Sequence, residues 1–252
     1  MAYEYNLVIV GGGAAGLVSA VIGTAVKAKV ALIEQSEMGG DCLNTGCVPS
    51  KALLKTAKVI QQIRNSKKYG IKQAEFKVDF QDVMDRVHSL IARIAPHDSV
   101  ERFTSLGVDC FKGHAEIIDK HHVKVNDKIL STKNIILAHG AEPFVPELKG
   151  LSEVTYLTSE NLWQLKKLPE KLLVLGGGPI GVEMSQAFQR IGAQVTLVEK
   201  NNRALIREDD DVAEEVLKAL KNDGVKFFGN SIAREIQVEE NGKITKKSKK
   251  NF

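Results

Sequence analysis

The sequence lacks a long hydrophobic run. Its longest apolar stretch near the start, Leu7 to Val10, is far too short to span a bilayer or to form the apolar part of a secretory leader. Glu4 precedes it where such a leader carries positive charge. A cytoplasmic chain with no membrane partner is the expectation. Cysteine is also scarce: three in 252 residues, unevenly placed, exclude the dense even-numbered framework of a secreted disulfide domain. Cys110 lies in the apolar stretch Gly107 to Phe111 and reads as a small core residue. Cys42 and Cys47 stand close together. Charge of one sign is lacking too. The net charge of +4 arises from five lysines (Lys243, Lys246, Lys247, Lys249, Lys250) in the last ten residues, which leave 30 basic against 31 acidic groups before residue 243. Those lysines have no interleaved aromatics, so residues 241–252 read as a disordered basic tail and not as a nucleic-acid surface. A hydrophobic content of 43% in this length suits one large or two medium domains.

The chain repeats itself at an offset of 165 residues. Gly-Gly-Gly-Ala-Ala-Gly at 11–16 answers Gly-Gly-Gly-Pro-Ile-Gly at 176–181. The likeness extends to the flanks: Leu7 to Val10 aligns with Leu172 to Leu175, and Val30 to Glu34 aligns with Val195 to Glu199. In both copies the acid lies 23 positions after the first glycine. Each copy therefore reads apolar strand, glycine turn, helix, apolar strand, acid, which is the βαβ dinucleotide-binding fingerprint in its proper context. Gly11 and Gly176 permit the tight turn, while Gly13 and Gly178 let the backbone approach a pyrophosphate. Gly16 and Gly181 let helix and strand pack closely. Ala14 and Ala15 open the first helix, whose unpaired amides receive the phosphates. Glu34 and Glu199 accept hydrogen bonds from a ribose diol. A duplicated α/β scaffold without ligands is the alternative. The acid at 199 suggests NAD, because it repels a 2′-phosphate; Lys200 and Arg203 leave NADP open.

Between the copies, Pro143, Pro146, Gly150 and Pro169 mark a linker. Segments 51–68 and 80–105 have helical periodicity, with Val83, Val87, Leu90, Ile91 and Ile94 on one stripe, and are expected to cover the first sheet. Further helical and strand-like segments follow at Asp211 to Asn222, Val225 to Phe228 and Ile232 to Val238.

Directly after Glu34 comes Gly39-Gly40-Asp41-Cys42-Leu43-Asn44-Thr45-Gly46-Cys47-Val48-Pro49-Ser50-Lys51. Five residues of ideal helix rise about 7.5 Å, beyond the roughly 7 Å across which a disulfide joins two Cα atoms. The two cysteines can pair only where the chain is irregular between them, and Gly46 and Pro49 suit that irregularity at a helix start. A helix N-terminus favours thiolate, as a redox cysteine requires. A structural disulfide is disfavoured in the cytoplasm. A zinc site would need two further ligands, and neither a second cysteine pair nor histidines at ligand spacing are present; no metal site is expected.

This segment resembles the active-site signature of the pyridine nucleotide-disulfide oxidoreductases, nearest to their dihydrolipoamide dehydrogenase and mercuric reductase-like branches. The resemblance implies an α/β fold of two Rossmann-like domains, FAD-binding and then NAD(P)-binding. It divides the chain into a FAD domain with a redox disulfide (1–145), a linker (146–170) and the first part of an NAD(P) domain (171–240). It implies that Cys42 is the interchange thiol and Cys47 the thiolate facing the flavin, with Lys51 near the flavin N5 and Glu183 its ion-pair partner. Gly40 and Asp41 match flavin-contact positions. The segment Ile135 to Pro143, with Ala138 and Gly140, resembles a second FAD-contact strand, although His139 stands where the family usually has threonine.

The implied activity passes electrons from NAD(P)H through FAD to the Cys42–Cys47 disulfide and on to a small-molecule or protein-bound disulfide, or a similar soft electrophile. Family members are homodimers whose partner subunit supplies an acid/base histidine from an interface domain. No segment here corresponds to that domain or to the second flavin-contact Gly-Asp segment, so the chain reads as truncated inside its second nucleotide domain. An inactive nucleotide-binding remnant, or an NAD-linked dehydrogenase with incidental cysteines, are the rival readings.

Overall fold

The computed structural model describes residues 3–72, 74–238 and 244–250. The chain divides into two compact units, one of Met1–Pro49 with Arg86–Pro143, the other of Ser50–Asp85 with Phe144–Phe252.

In the first unit, the apolar run that begins at Leu7 becomes β1 (Tyr5–Val10), covered on both faces as such runs require. The glycine turn leads into α1 (Ala14–Ala25) and back to β2 (Val30–Glu34), parallel to β1 with Leu7 opposite Val30. One turn of helix, α2 (Gly40–Asn44), is followed almost at once by α3 (Cys47–Arg64). After α4 (Phe80–Ile94) and the short α5 (Val100–Ser105), β3 (Val108–Lys112) returns parallel beside β2. Then β4 (Ala115–Asp119), β5 (His122–Val125) and β6 (Lys128–Leu137) form an antiparallel arm. The long β6 pairs with β5 through 128–131, then runs parallel to β1 through 132–137. The resulting sheet order is β3-β2-β1-β6-β5-β4.

Strand alternation sends neighbouring residues to opposite faces. Val8, Ala31 and Ile33 pack with Tyr5, Val123, Val125 and Leu130 on one side. On the other, Ile9, Val30 and Leu32 pack with Leu17 and Ala20 of α1 and Phe103 of α5. Each such aliphatic side chain contributes on the order of 1.5–3 kcal/mol by burial. The helical segments thus cover the first sheet only in part. Phe103 does so, held by an α5 whose Ser99 Oγ caps it by accepting from the Arg102 amide at 3.3 Å. Residues 50–85, with most of α3, belong to the second unit. Periodicity reveals an apolar stripe but not the surface that receives it.

The second unit repeats the βαβ pattern. Strands β7 (Lys171–Leu175), β8 (Gln194–Val198) and, beyond α6 (Pro179–Ile191) and α7 (Asp210–Asn222), β9 (Lys226–Phe228) form a parallel sheet in that order. Pro179 begins α6 with a pre-set φ and no wasted amide. The helix buries Val182, Met184, Ala187, Phe188 and Ile191. Asp223, just past α7 and 4% exposed, accepts from Arg190 Nε at 2.9 Å, Arg190 at 2.8 Å and Gln186 Nε2 at 2.8 Å, tying the two helices together.

Two sequence expectations differ from this structure. Residues 244–250, in the stretch expected to be disordered, form strand β11, antiparallel to β10 (Ser231–Val238). The pairing uses backbone groups, to which lysine content is blind. Residues 241–243 and 251–252 of that tail lie outside the described residues. The stretch 146–170, expected to be a linker, is also structured. It buries Leu162 and Trp163 at 8% and 6% exposure, and Lys149 accepts the Ile236 amide at 2.8 Å. A single large aromatic can anchor a segment that has no periodic pattern.

Candidate active site

Both glycine turns are built alike. Gly11 and Gly176 have φ of +110° and +103°, a left-handed backbone that favours glycine. A Cβ on Gly16 or Gly181 would lie 1.8 Å or 2.0 Å from the carbonyl oxygen of Gly11 or Gly176. The fold itself demands these four glycines. Gly13 and Gly178 differ: each caps its helix in extended backbone that any residue adopts. A Cβ on Gly13 would meet nothing nearer than Gly40 Cα at 3.7 Å, and one on Gly178 nothing within 4 Å. Among the described residues no atom requires glycine there. A pyrophosphate drawn onto the helix amides would, so the residues present fit a dinucleotide in each unit. Ala14 and Ala15 are exposed at the start of α1, small enough to leave its amides open.

Glu34 and Glu199 are equally matched. Glu34 accepts from the Gly12 amide at 2.5 Å and the Ser36 amide at 2.6 Å. Glu199 accepts from Gly177 at 2.6 Å, and from the Asn201 amide and side chain at 2.8 Å and 2.6 Å. Each carboxylate thus ends its strand and fixes its own glycine loop, a second task that sequence reasoning missed. The internal repeat held the signal, since Gly12 and Gly177 occupy equivalent positions. Arg203 is engaged with the Leu205 and Glu208 carbonyls, at 2.6 Å and 2.9 Å, and with Asp210 at 2.6 Å.

The cysteine segment is attached to the first glycine turn. Gly39 donates to the Gly12 carbonyl at 2.9 Å and bridges to Gly13. A Cβ on Gly40 would lie 2.7 Å from Gly13 Cα. The end of β6 closes the same corner: Ala138 donates to Val10 O at 2.8 Å, and a Cβ on Gly11 would strike the Ala138 carbonyl at 2.2 Å. Gly140, at φ +74°, stands so that a Cβ would come 3.9 Å from the Asp41 carboxylate. Gly11, Gly13, Gly40, Asp41, Ala138 and Gly140 are therefore gathered in one place, while His139 is exposed there.

Between the cysteines the helix breaks as their spacing requires. The Asp41 carbonyl accepts from Thr45 at 3.0 Å and from Gly46, closing α2 and starting α3 afresh at Cys47. A Cβ on Gly46 would lie 2.8 Å from that carbonyl, so the tight reversal needs glycine. Cys42 is half-buried and Cys47 exposed, and no disulfide joins them. They are hydrogen-bonded to one another. That bond pushes the Cys42 thiol up, followed by burial and by electrostatic interaction with Cys47 and Asp98. A backbone hydrogen bond from Cys47 pulls the other way and is outweighed.

In the second unit, Lys51 Nζ donates to both carboxylate oxygens of Glu183, at 2.9 Å and 3.1 Å, across 132 residues of sequence. Lys51 lies one helical turn along α3 from Cys47. Asp98 was not anticipated from sequence, since nothing marks it in a polar stretch between helices. The Gln35–His114 hydrogen bond at 2.9 Å, beyond Glu34, was likewise illegible. Among the described residues no helix is long and apolar enough to cross a membrane.

Residues 5–252 match the family described as pyridine nucleotide-disulphide oxidoreductase. The chain is 34% identical to a mercuric reductase of Bacillus cereus over 97% of its own length and 38% of that protein's. It is 34% identical to a dihydrolipoyl dehydrogenase of Acholeplasma laidlawii, over 97% and 73% respectively. Among solved structures, the HOCl-induced flavoprotein disulfide reductase RclA of Escherichia coli superposes with a TM-score of 0.81 at 32% identity, covering 97% of this chain and 53% of that one. A Cu(II) complex of RclA gives a TM-score of 0.81 at 30% identity. The chain spans roughly two fifths to three quarters of the length of these relatives.

Proposed function

Because the chain belongs to the pyridine nucleotide-disulphide oxidoreductase family, we propose that Cys42 and Cys47 are the redox centre of a flavin-dependent reductase drawing on NADH. The observation that carries this reading is the attachment of the cysteine segment to a glycine turn whose Gly13 has no steric reason, within the protein, to be glycine. FAD, when bound, supplies the two-electron connection between a nicotinamide hydride and the cysteines. Gly13 and the start of α1 would hold its pyrophosphate and Glu34 its ribose, with Gly40, Asp41, Ala138 and Gly140 beside them. Gly178 and Glu199 would hold the nicotinamide nucleotide in the same manner.

NADH is favoured over NADPH by the state of two residues. Glu199 is buried at 8% exposure with its carboxylate locked to Gly177, where it would repel a 2′-phosphate. Arg203, one of the two cations that follow Glu199, is already committed to loop carbonyls and Asp210.

The cysteines then perform thiol–disulfide exchange. Cys42 loses its proton and attacks one sulfur of a substrate disulfide, releasing the first thiol. Cys47 attacks the Cys42 sulfur of the mixed disulfide, releasing the second thiol and closing the Cys42–Cys47 bond. Two electrons and two protons pass to the substrate. A soft metal ion is the alternative acceptor, since relatives carry the name mercuric reductase and RclA is described in a Cu(II) complex. Lys51, fixed by Glu183, places a positive charge one turn from Cys47 on α3. Its exposed ion pair is worth about 0–1 kcal/mol to stability, so a role in the chemistry explains it better than folding does.

The test is flavin uptake by the purified chain. A yellow protein, or one that turns yellow and retains FAD through gel filtration, supports the reading. A colourless chain that takes up no added FAD makes it a nucleotide-binding remnant.

A further inference from the structure

Phe103 is 1% exposed, in the core between the first sheet and α1, and it anchors the short helix α5. The Ser99 cap fixes where that helix begins, and the Arg102 guanidinium holds the His97 carbonyl. The residue between them, Asp98, ends the 3₁₀ turn Ala95–Asp98 and is pinned from both sides. Its Oδ2 sits against Gly39: a Cβ built on that glycine would lie 3.1 Å from it. Gly39 caps α2, and Cys42 is the third residue of that single turn. A carboxylate is thereby fixed at the start of the turn that carries the half-buried cysteine.

We infer that Asp98 is a positioning residue of the cysteine pair, whose negative charge beside the Gly39 turn disfavours a thiolate on Cys42. The inference rests on reading these cysteines as a redox pair. Three elements bring titratable groups to Cys42. Its own turn carries Asp41, the start of α3 brings Cys47, and the 3₁₀ turn brings Asp98 with His97 beside it. Of these, Cys47 and Asp98 act on the Cys42 sulfur by charge, both opposing a thiolate there. The consequence is that Cys42 keeps its proton until substrate arrives.

The test is site-resolved alkylation of the full chain. The reduced protein is exposed to limiting iodoacetamide from about pH 6 to pH 10, and peptide mass spectrometry reads the label on Cys42 and Cys47 separately. Replacing Asp98→Asn is expected to raise the Cys42 share about threefold near neutral pH, the effect of one unit charge across several ångströms of partly wet surroundings. The Cys42 profile moves to lower pH at the same time. Asp98→Glu keeps the charge and stays near wild type. Asp98→Ser, uncharged and smaller, repeats the asparagine result and serves if that variant folds poorly. An unchanged share and profile in both uncharged variants overturns the inference. So does an Asp98→Glu protein that shifts as far as Asp98→Asn, which would make the role steric. The readout needs no flavin, so failure here in a chain that binds FAD leaves the proposed function standing, and the converse also holds.

Discussion

At the scale of single residues, the two fingerprints separate glycines that the fold needs from glycines that a ligand needs. Gly11, Gly16, Gly176 and Gly181 are required by left-handed backbone or by contact with a carbonyl. Gly13 and Gly178 are not. Replacing Gly16→Ala should therefore cost about 3 kcal/mol, because helix and strand must part to admit the methyl group. Replacing Gly13→Ala should leave the melting temperature within a degree or two while weakening FAD at least about tenfold, or 1.4 kcal/mol. Thermal unfolding and FAD titration on the two variants distinguish them, and equal loss of stability in both would refute the distinction. The glycine spacing was legible in sequence because its reason is steric and local. The embrace of Gly12 by Glu34, and of Gly177 by Glu199, was not, since a carboxylate's hydrogen-bond partners depend on how the loop folds back.

At the scale of elements, the break between α2 and α3 decides whether the two sulfurs can meet. Spacing alone indicated that a regular helix could not join Cys42 to Cys47, and Gly46 stood where the irregularity is found. The Asp41 carbonyl gathers two amides at this point, with no room for a Cβ on Gly46. Gly46→Ala should slow closure of the disulfide by about tenfold and cost about 1–3 kcal/mol in stability. Thiol titration during oxidation by glutathione measures the first effect; an unchanged rate would show that the break does not depend on glycine. The placement of Asp98 was invisible in sequence for a related reason. It follows from Phe103 entering a core built by β1, β2 and α1, far from it in the chain, while Ser99 caps α5 locally.

At the scale of the whole molecule, the duplicated βαβ architecture was readable because each copy carries its strands, turn and acid at matching intervals. The grouping of residues 50–85 with the second unit was not readable, nor was the burial of Trp163 in a stretch that looked like a linker. Both depend on which surface receives an apolar side chain, which periodicity does not encode. The chain covers about half of the RclA chain it resembles, so the central question is whether these residues hold a flavin in electronic contact with Cys42 and Cys47. Anaerobic reduction of the FAD-loaded, oxidised chain with dithionite answers it most directly. The account predicts uptake of about four electrons per flavin, two for FAD and two for the disulfide, falling to about two when Cys47→Ser removes the disulfide. Uptake of about two electrons per flavin by the unaltered chain would contradict it.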